Sequence, residues 1–159
     1  MEIDTRRAGA HDAEELIRLR IVMLEAVEGA PVPPGEWSLR SAAALRRRLP
    51  AEDAGITAFV VDRPDGGGLA ACAIGTIEER LGSPANPEGL VGYVFNVATD
   101  PRYRRRGYST ACLTALLGWF ADHGVRLIRL RPSKDGLPVY ERLGFMLEHG
   151  PWMVLQAPE

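Results

Sequence analysis

Apolar positions at Leu16, Leu19, Ile21, Val22, Met23, Leu24 and Val27 keep the period of an α-helix over residues 11–27, with acids in its first turn. Ahead of it, residues 2–7 alternate as a strand does, with Ile3 and Thr5 on one face. Three prolines and two glycines within residues 29–35 end the helix in a loop. Ser38 can cap a second helix that runs to about Leu49 and closes at Pro50. Residues 57–62 and 69–79 read as strands joined by Pro64-Asp65-Gly66-Gly67-Gly68, a hairpin signal. After a loop over 82–89, the apolar run 91–99 reads as a fourth strand, feeding a helix over 109–123 that Gly124 ends. A strand over 125–131 and a short helix over 136–143, with Pro138 in its first turn, come next. The last elements are strands 145–149 and 152–156, a closing hairpin around Gly150-Pro151.

The order β-α-α-β-β-β-α-β-α-β-β places the chain in the α/β class. It predicts a mixed, mostly antiparallel twisted sheet of about seven strands, with helices on both faces. Nothing marks a boundary, so residues 1–159 read as one domain, large enough to bury a core. Hydrophobic residues at 46% and charged residues at 25% are ordinary globular usage. No apolar run reaches bilayer length and residues 1–10 lack the form of a signal peptide, so a cytoplasmic protein without membrane contact is expected. Cys72 and Cys112 fall inside a strand and a helix, as buried thiols of a reducing compartment do. With them, the scattered His11, His123 and His149 offer no metal-ligand spacing, and no metal is predicted.

Candidate chemistry begins where the fourth strand meets the helix, at Arg104-Arg105-Arg106-Gly107-Tyr108-Ser109. A strand that turns tightly at a glycine into a helix gathers free backbone N–H groups and the positive end of a helix dipole. Such a point binds phosphate, and arginine forks suit phosphate oxygens. Taken alone, a basic turn is ordinarily a solvated loop. An arginine run also suits nucleic acid, but the net charge is −2 and no second basic stripe with interleaved aromatics occurs, so nucleic acid is not expected. Neither the P-loop nor the dinucleotide glycine pattern is present.

Downstream, Ser133-Lys134-Asp135-Gly136-Leu137-Pro138-Val139 leads into Tyr140-Glu141-Arg142-Leu143-Gly144-Phe145. The ordered pair Arg-x-x-Gly-x-Ser and Tyr-Glu-x-Leu-Gly-Phe, each after a strand, resembles the GNAT superfamily of acetyl-coenzyme A-dependent N-acetyltransferases. The segment Ser83-Pro84-Ala85-Asn86-Pro87 with Asn96 is similar to small bacterial members. Ser109 stands where the family has Gly or Ala. The resemblance implies acetyl-coenzyme A (acetyl-CoA) as co-substrate, bound by Arg104, Arg105, Arg106, Gly107, Tyr108, Ser109 and Thr110 at the pyrophosphate. It also implies pantetheine contacts from the Val97 and Thr99 main chains on a splayed strand, with an oxyanion donor near Val97. Ser133 sits where the family often has Asn to hold the pantetheine.

In the same resemblance Tyr140 protonates the departing sulfur; a tyrosine with a pKa of about 10 keeps its proton at neutral pH. The alternative is that Tyr140 is a core aromatic. The family's strand glutamate is matched by Tyr93, a poor base. Glu78 or Glu79 acting through water, a water chain, or an amine arriving partly neutral stand as alternatives. The acceptor side is expected between the loops 28–37 and 80–90, where Glu28, Glu36 and Trp37 suit a cationic amine. The function implied is acetyl transfer to a primary amine of a small-molecule acceptor by direct attack in a ternary complex. Acetylation of protein N-termini or lysines, and a non-catalytic acyl-CoA sensor, are the competing readings. The apolar strand 152–155 fits either a homodimer contact or plain core.

Overall fold

The computed structural model describes residues 2–159. Its elements in chain order are β1 (Arg6–Arg7), α1 (Ala13–Glu28), α2 (Glu36–Arg48), β2 (Ile56–Asp62), β3 (Leu69–Glu79), β4 (Leu90–Thr99), α3 (Tyr108–Asp122), β5 (Leu127–Leu130) and α4 (Leu137–Arg142). The strands form one five-stranded sheet in the order β1-β2-β3-β4-β5. The first four are antiparallel to their neighbours, and β5 runs parallel to β4. The fold is therefore a mixed α/β sheet of five strands, not seven.

Two of the expected strands account for the difference. The closing hairpin over 145–149 and 152–156 does not form: the last backbone hydrogen bond runs from Phe145 N–H to the Tyr140 carbonyl (3.1 Å). Met153, Val154 and Leu155 stand 85–95% exposed. Trp152 to Leu155 is apolar at every position, so no alternation selects a face to bury, and Pro151 removes a donor at the turn. The N-terminal strand contracts to Arg6–Arg7, which meet Val60 and Phe59 of β2. At α2 the helix starts at Glu36 and Ser38 is its third residue, not its cap. Its hydroxyl turns back, accepting from Gly35 N–H (3.0 Å) and donating to the Gly35 carbonyl (2.8 Å).

The sheet is covered on both faces. α1 and α2 pack with Ile56, Ala58, Val60 and Cys72 in one core cluster; α3 and Tyr140 pack with Ala71, Ala73 and Val94 in the other. Cys72 and Cys112 are buried free thiols. The Phe120 ring lies directly on the sheet backbone, where a Cβ on Gly75 or Gly92 would come within 2.7 or 2.8 Å of it. Glycine at both positions lets α3 sit this close.

Two features of β4 set the geometry of its C-terminal half. Between Ile74↔Phe95 and Cys72↔Ala98 it takes one residue more than β3, a bulge at which Asn96 is buried in the left-handed region (φ 54°). Cys72 Sγ donates to the Asn96 carbonyl (3.2 Å), and Asn96 Nδ2 donates to Leu16 O of α1 (3.4 Å). On its other side, β4 pairs with β5 only from Val91↔Leu127 to Val94↔Leu130. Beyond Val94 the two strands part.

Among the described residues no helix is long and apolar enough to cross a membrane, and no three potential metal-ligating side chains cluster.

Ion pairs built on the buried carboxylates Asp12 and Asp100 lock α1 and the N-terminal strand to the sheet. Asp12 is bound by Arg6 (2.8 Å), which also holds Asp62 (2.8 Å). Glu15 is bound by Arg18 (2.6 Å), which also reaches Asp100 (2.8 Å). Burial opposes the charge of Asp12, Glu15 and Asp100, but hydrogen bonds from Arg6, Arg18 and Arg102 outweigh it and lower all three pKa values, that of Asp100 to about 2. A carboxylate with its pKa lowered by folding stabilises the fold above the ordinary carboxylate range and loses that contribution as pH falls through its folded value. The urea midpoint should therefore hold from neutral pH to about pH 5 and fall steadily toward about pH 2. A midpoint level across that range would show that these pairs do not stabilise the fold.

Candidate active site

The chain leaves β4 through a 3-10 turn over Pro101–Tyr103 and enters α3 after left-handed residues at Arg105 (φ 63°) and Gly107 (φ 78°). The first helical bond comes from Ala111 N–H to the Gly107 carbonyl (3.0 Å). The N–H groups of residues 107–110 consequently have no helical acceptor and converge at the positive end of the α3 dipole. Arg104, Arg105, Arg106 and Gly107 are exposed, and none of the three arginines makes an ion pair among the described residues. This arrangement can hold a phosphate or pyrophosphate through main-chain donors and free guanidinium groups together.

Ser109 shows how a side chain fits at a position where close approach matters. Its hydroxyl folds back to hydrogen-bond Thr99 Oγ1 at the end of β4, joining strand to helix. Tyr108 is half-buried against the α3 core, and Thr110 lines a shallow groove with Ile3 and Gly107. Val97 and Thr99 are half-buried on the part of β4 that β5 no longer pairs.

Tyr140 lies elsewhere, in a cleft of about 850 Å³ around the outer edge of β5. Its ring is buried and meets Phe145 edge-on at 6.0 Å. Burial raises the phenol above its ordinary pKa, and no described residue accepts its proton. Glu78, Arg80, Tyr93, Arg129 and Trp152 share this cleft. Glu78 is paired with Arg80 (3.1 Å), and Arg129 binds Glu148 through two bonds of 3.0 Å. Tyr93 is stacked with Phe95 at 6.2 Å.

The cleft and the turn are thus separate features. The predicted residues Val97, Thr99, Ser109 and the arginines gather at the β4–α3 junction, while Tyr140 lines the cleft with Tyr93 and the candidate base Glu78. Ser133 lies outside both. Its hydroxyl accepts from Gly136 N–H (3.1 Å), tying down the turn ahead of α4. The expected acceptor loops contribute little to the cleft: Glu36 is paired with Arg40, and Trp37 Nε1 donates to the Pro33 carbonyl (3.2 Å) of its own loop. Arg80, Arg129 and Glu148 are functional candidates that sequence reasoning missed, because only the fold brings the ends of β3 and β5 and the tail together. Asp100 was also missed, although an Asp before Pro at a strand end is a recognisable capping signal.

Comparison with known proteins gives a consistent result. The model of the acetyltransferase (GNAT) family matches residues 24–145. A mycothiol acetyltransferase of Acidimicrobium ferrooxidans is 27% identical over 118 residues, 72% of this chain, and the chain spans 35% of that relative's length. A predicted acetyltransferase from Clostridium acetobutylicum, solved with acetyl-CoA, superposes with a TM-score of 0.81 at 23% identity, covering 98% of this chain and 96% of its own. A GCN5-related N-acetyltransferase from Ralstonia eutropha does so with a TM-score of 0.69 at 25% identity, covering 99% and 98%.

Gly107 should not tolerate a side chain. Its φ of 78° lies in the left-handed region, and a Cβ would come within 3.3 Å of Ile3 Cδ1. Gly107→Ala should lower unfolding free energy by about 1–3 kcal/mol in urea titration, the usual penalty of a non-glycine residue held there. An unchanged midpoint would show that the turn relaxes freely.

Proposed function

The chain belongs to the acetyltransferase (GNAT) family, and from that premise we propose that it transfers the acetyl group of acetyl-CoA to a primary amine of a small molecule, within a single domain. The observation that carries the reading is the β4–α3 junction. It combines the N–H groups of residues 107–110 that lack a helical acceptor, three arginines without an ion pair among the described residues and a strand edge left open beyond Val94. The amino-acid types fit a phosphorylated thioester carrier: main-chain donors and Arg104, Arg105 and Arg106 for the pyrophosphate, and the open Val97 and Thr99 main chain for the pantetheine arm. Thr110 completes the first turn of α3, and Ser133 stands at the turn before α4, on the far side of the parting strands.

In the proposed reaction the amine nitrogen adds to the thioester carbonyl, the new C–N bond forms and the C–S bond breaks. Tyr140, kept protonated at neutral pH by burial, donates its proton to the departing sulfur. The proton that the amine nitrogen loses on forming the amide leaves through water to Glu78 or Glu79, or along a water chain that restores the phenol. A main-chain N–H near Val97 steadies the oxyanion. Glu78, held by Arg80, lines the cleft together with Glu141 and Glu148. The likeness to a mycothiol acetyltransferase supports a small-molecule acceptor. Tyr93, standing in the cleft where a carboxylate base would act, favours the sensor as second reading. The exposed run of Met153, Val154 and Leu155 supports self-association, which sedimentation at twice the monomer mass would reveal.

Calorimetric titration with acetyl-CoA tests the first requirement. Micromolar binding by the wild type, weakened in Arg104→Ala and Gly107→Glu, is expected; a folded wild type that does not bind would contradict the reading. With an amine found by thiol-release screening, Tyr140→Phe should cut turnover by about ten- to a thousandfold while leaving affinity for acetyl-CoA nearly unchanged. Full turnover in that variant would remove Tyr140 from the chemistry, and binding without thiol release above background would favour the sensor.

A further inference from the structure

Asp100 occupies an unusual position, because it is 3% exposed and faces three guanidinium groups, two of them from distant parts of the chain. Its Oδ2 accepts from Arg18 Nη1 of α1 (2.8 Å), from Arg63 Nη2 just after β2 (3.4 Å), and from Arg102 Nη2 (3.4 Å). Its Oδ1 accepts from the main-chain N–H of Arg102 (3.0 Å) and from Arg102 Nε (3.3 Å). Its own N–H donates to the Ala70 carbonyl of β3 (2.8 Å), and its carbonyl accepts from Tyr103 N–H (2.9 Å). Arg18 extends the network by donating to the Leu69 carbonyl (2.8 Å), and Glu15 accepts from Leu69 N–H (2.9 Å).

A second brace lies three residues on. Tyr103 is buried, its hydroxyl donates to Asp65 in the β2–β3 hairpin, and its ring lies near the guanidinium groups of Arg102 (5.5 Å) and Arg106 (5.2 Å). The left-handed residues Arg105 and Gly107 come directly after. Such conformations persist where neighbouring structure over-determines them.

We propose that Asp100 is the positioning residue of the anion-binding turn: it withdraws Arg102 from the arginine run, leaves Arg104, Arg105 and Arg106 to meet the pyrophosphate, and fastens the start of the turn to α1 and to the β2–β3 hairpin. The inference rests on the reading of the turn as the acetyl-CoA site. Asp100 touches no substrate. It acts by fixing the turn before binding, so that less order has to be imposed when acetyl-CoA arrives.

Charge and position make opposite predictions here. If Asp100 acted on the site only through its field, neutralising it would remove a negative charge near an anion site and tighten binding. If it acts by position, the same change frees Arg102, leaves three guanidinium groups around a neutral amide, and loosens the turn. Calorimetric titrations of wild type, Asp100→Asn and Asp100→Glu with acetyl-CoA and with S-acetylpantetheine, which carries the thioester but no phosphate, distinguish the two. Urea unfolding establishes that each variant is folded.

Asp100→Asn is expected to bind acetyl-CoA about tenfold or more weakly, with S-acetylpantetheine unaffected. Asp100→Glu keeps the charge and displaces the carboxylate by one methylene; it should also weaken acetyl-CoA selectively, and it decides the matter if Asp100→Asn does not fold. Unchanged or tighter binding of acetyl-CoA by a folded variant overturns the proposal, as does an equal loss for both probes. A wild type that binds no acetyl-CoA overturns instead the reading of the turn on which the proposal stands.

Discussion

The parting of β4 from β5 beyond Val94↔Leu130 is the constraint on which the rest of the structure depends. A central strand normally satisfies its backbone on both sides, and β4 pairs with β5 only over its first half. The bulge at Asn96 comes immediately after, with the extra residue held in the left-handed region and its carbonyl bound by the Cys72 thiol. One edge of the strand is thereby left free where the chain is about to turn into α3. Main-chain groups that a regular sheet would consume stay available next to a helix N-terminus that has its own unsatisfied donors.

The turn between them is held by groups that lie outside it. Asp100 and Tyr103 tie it to α1 and to the β2–β3 hairpin, and the Thr99–Ser109 hydrogen bond closes strand end on helix start. The carboxylate of Asp100, which helps hold α1 to the sheet, therefore also holds the site, so stability and binding share an ion-pair network. The cleft with Tyr140 is built differently. It surrounds the free outer edge of β5, and its charged groups are paired locally, Glu78 with Arg80 and Arg129 with Glu148.

Much of this was legible in the sequence, and the limits have physical causes. β3 runs over Leu69–Glu79 as expected, because glycines mark the hairpin before it. The strand–turn–helix unit was also readable, since glycine and an apolar run are local signals. The bulge was not: in a largely apolar strand, one extra residue leaves no break in pattern. Nor was the Asp100 network, whose partners Arg18 and Arg63 are 82 and 37 residues away in the chain. The closing hairpin failed because apolarity without alternation fixes no face, so Met153 to Leu155 remain in solvent. Tyr140 was recognisable through its motif, whereas its separation from the arginine turn became visible only in three dimensions.

The most direct test of the central claim is a crystal structure of the chain with acetyl-CoA. Pyrophosphate oxygens are expected within about 3 Å of the N–H groups of residues 107–110, with the pantetheine arm along the open edge of β4. A pyrophosphate bound away from this turn, with that edge unoccupied, would contradict it.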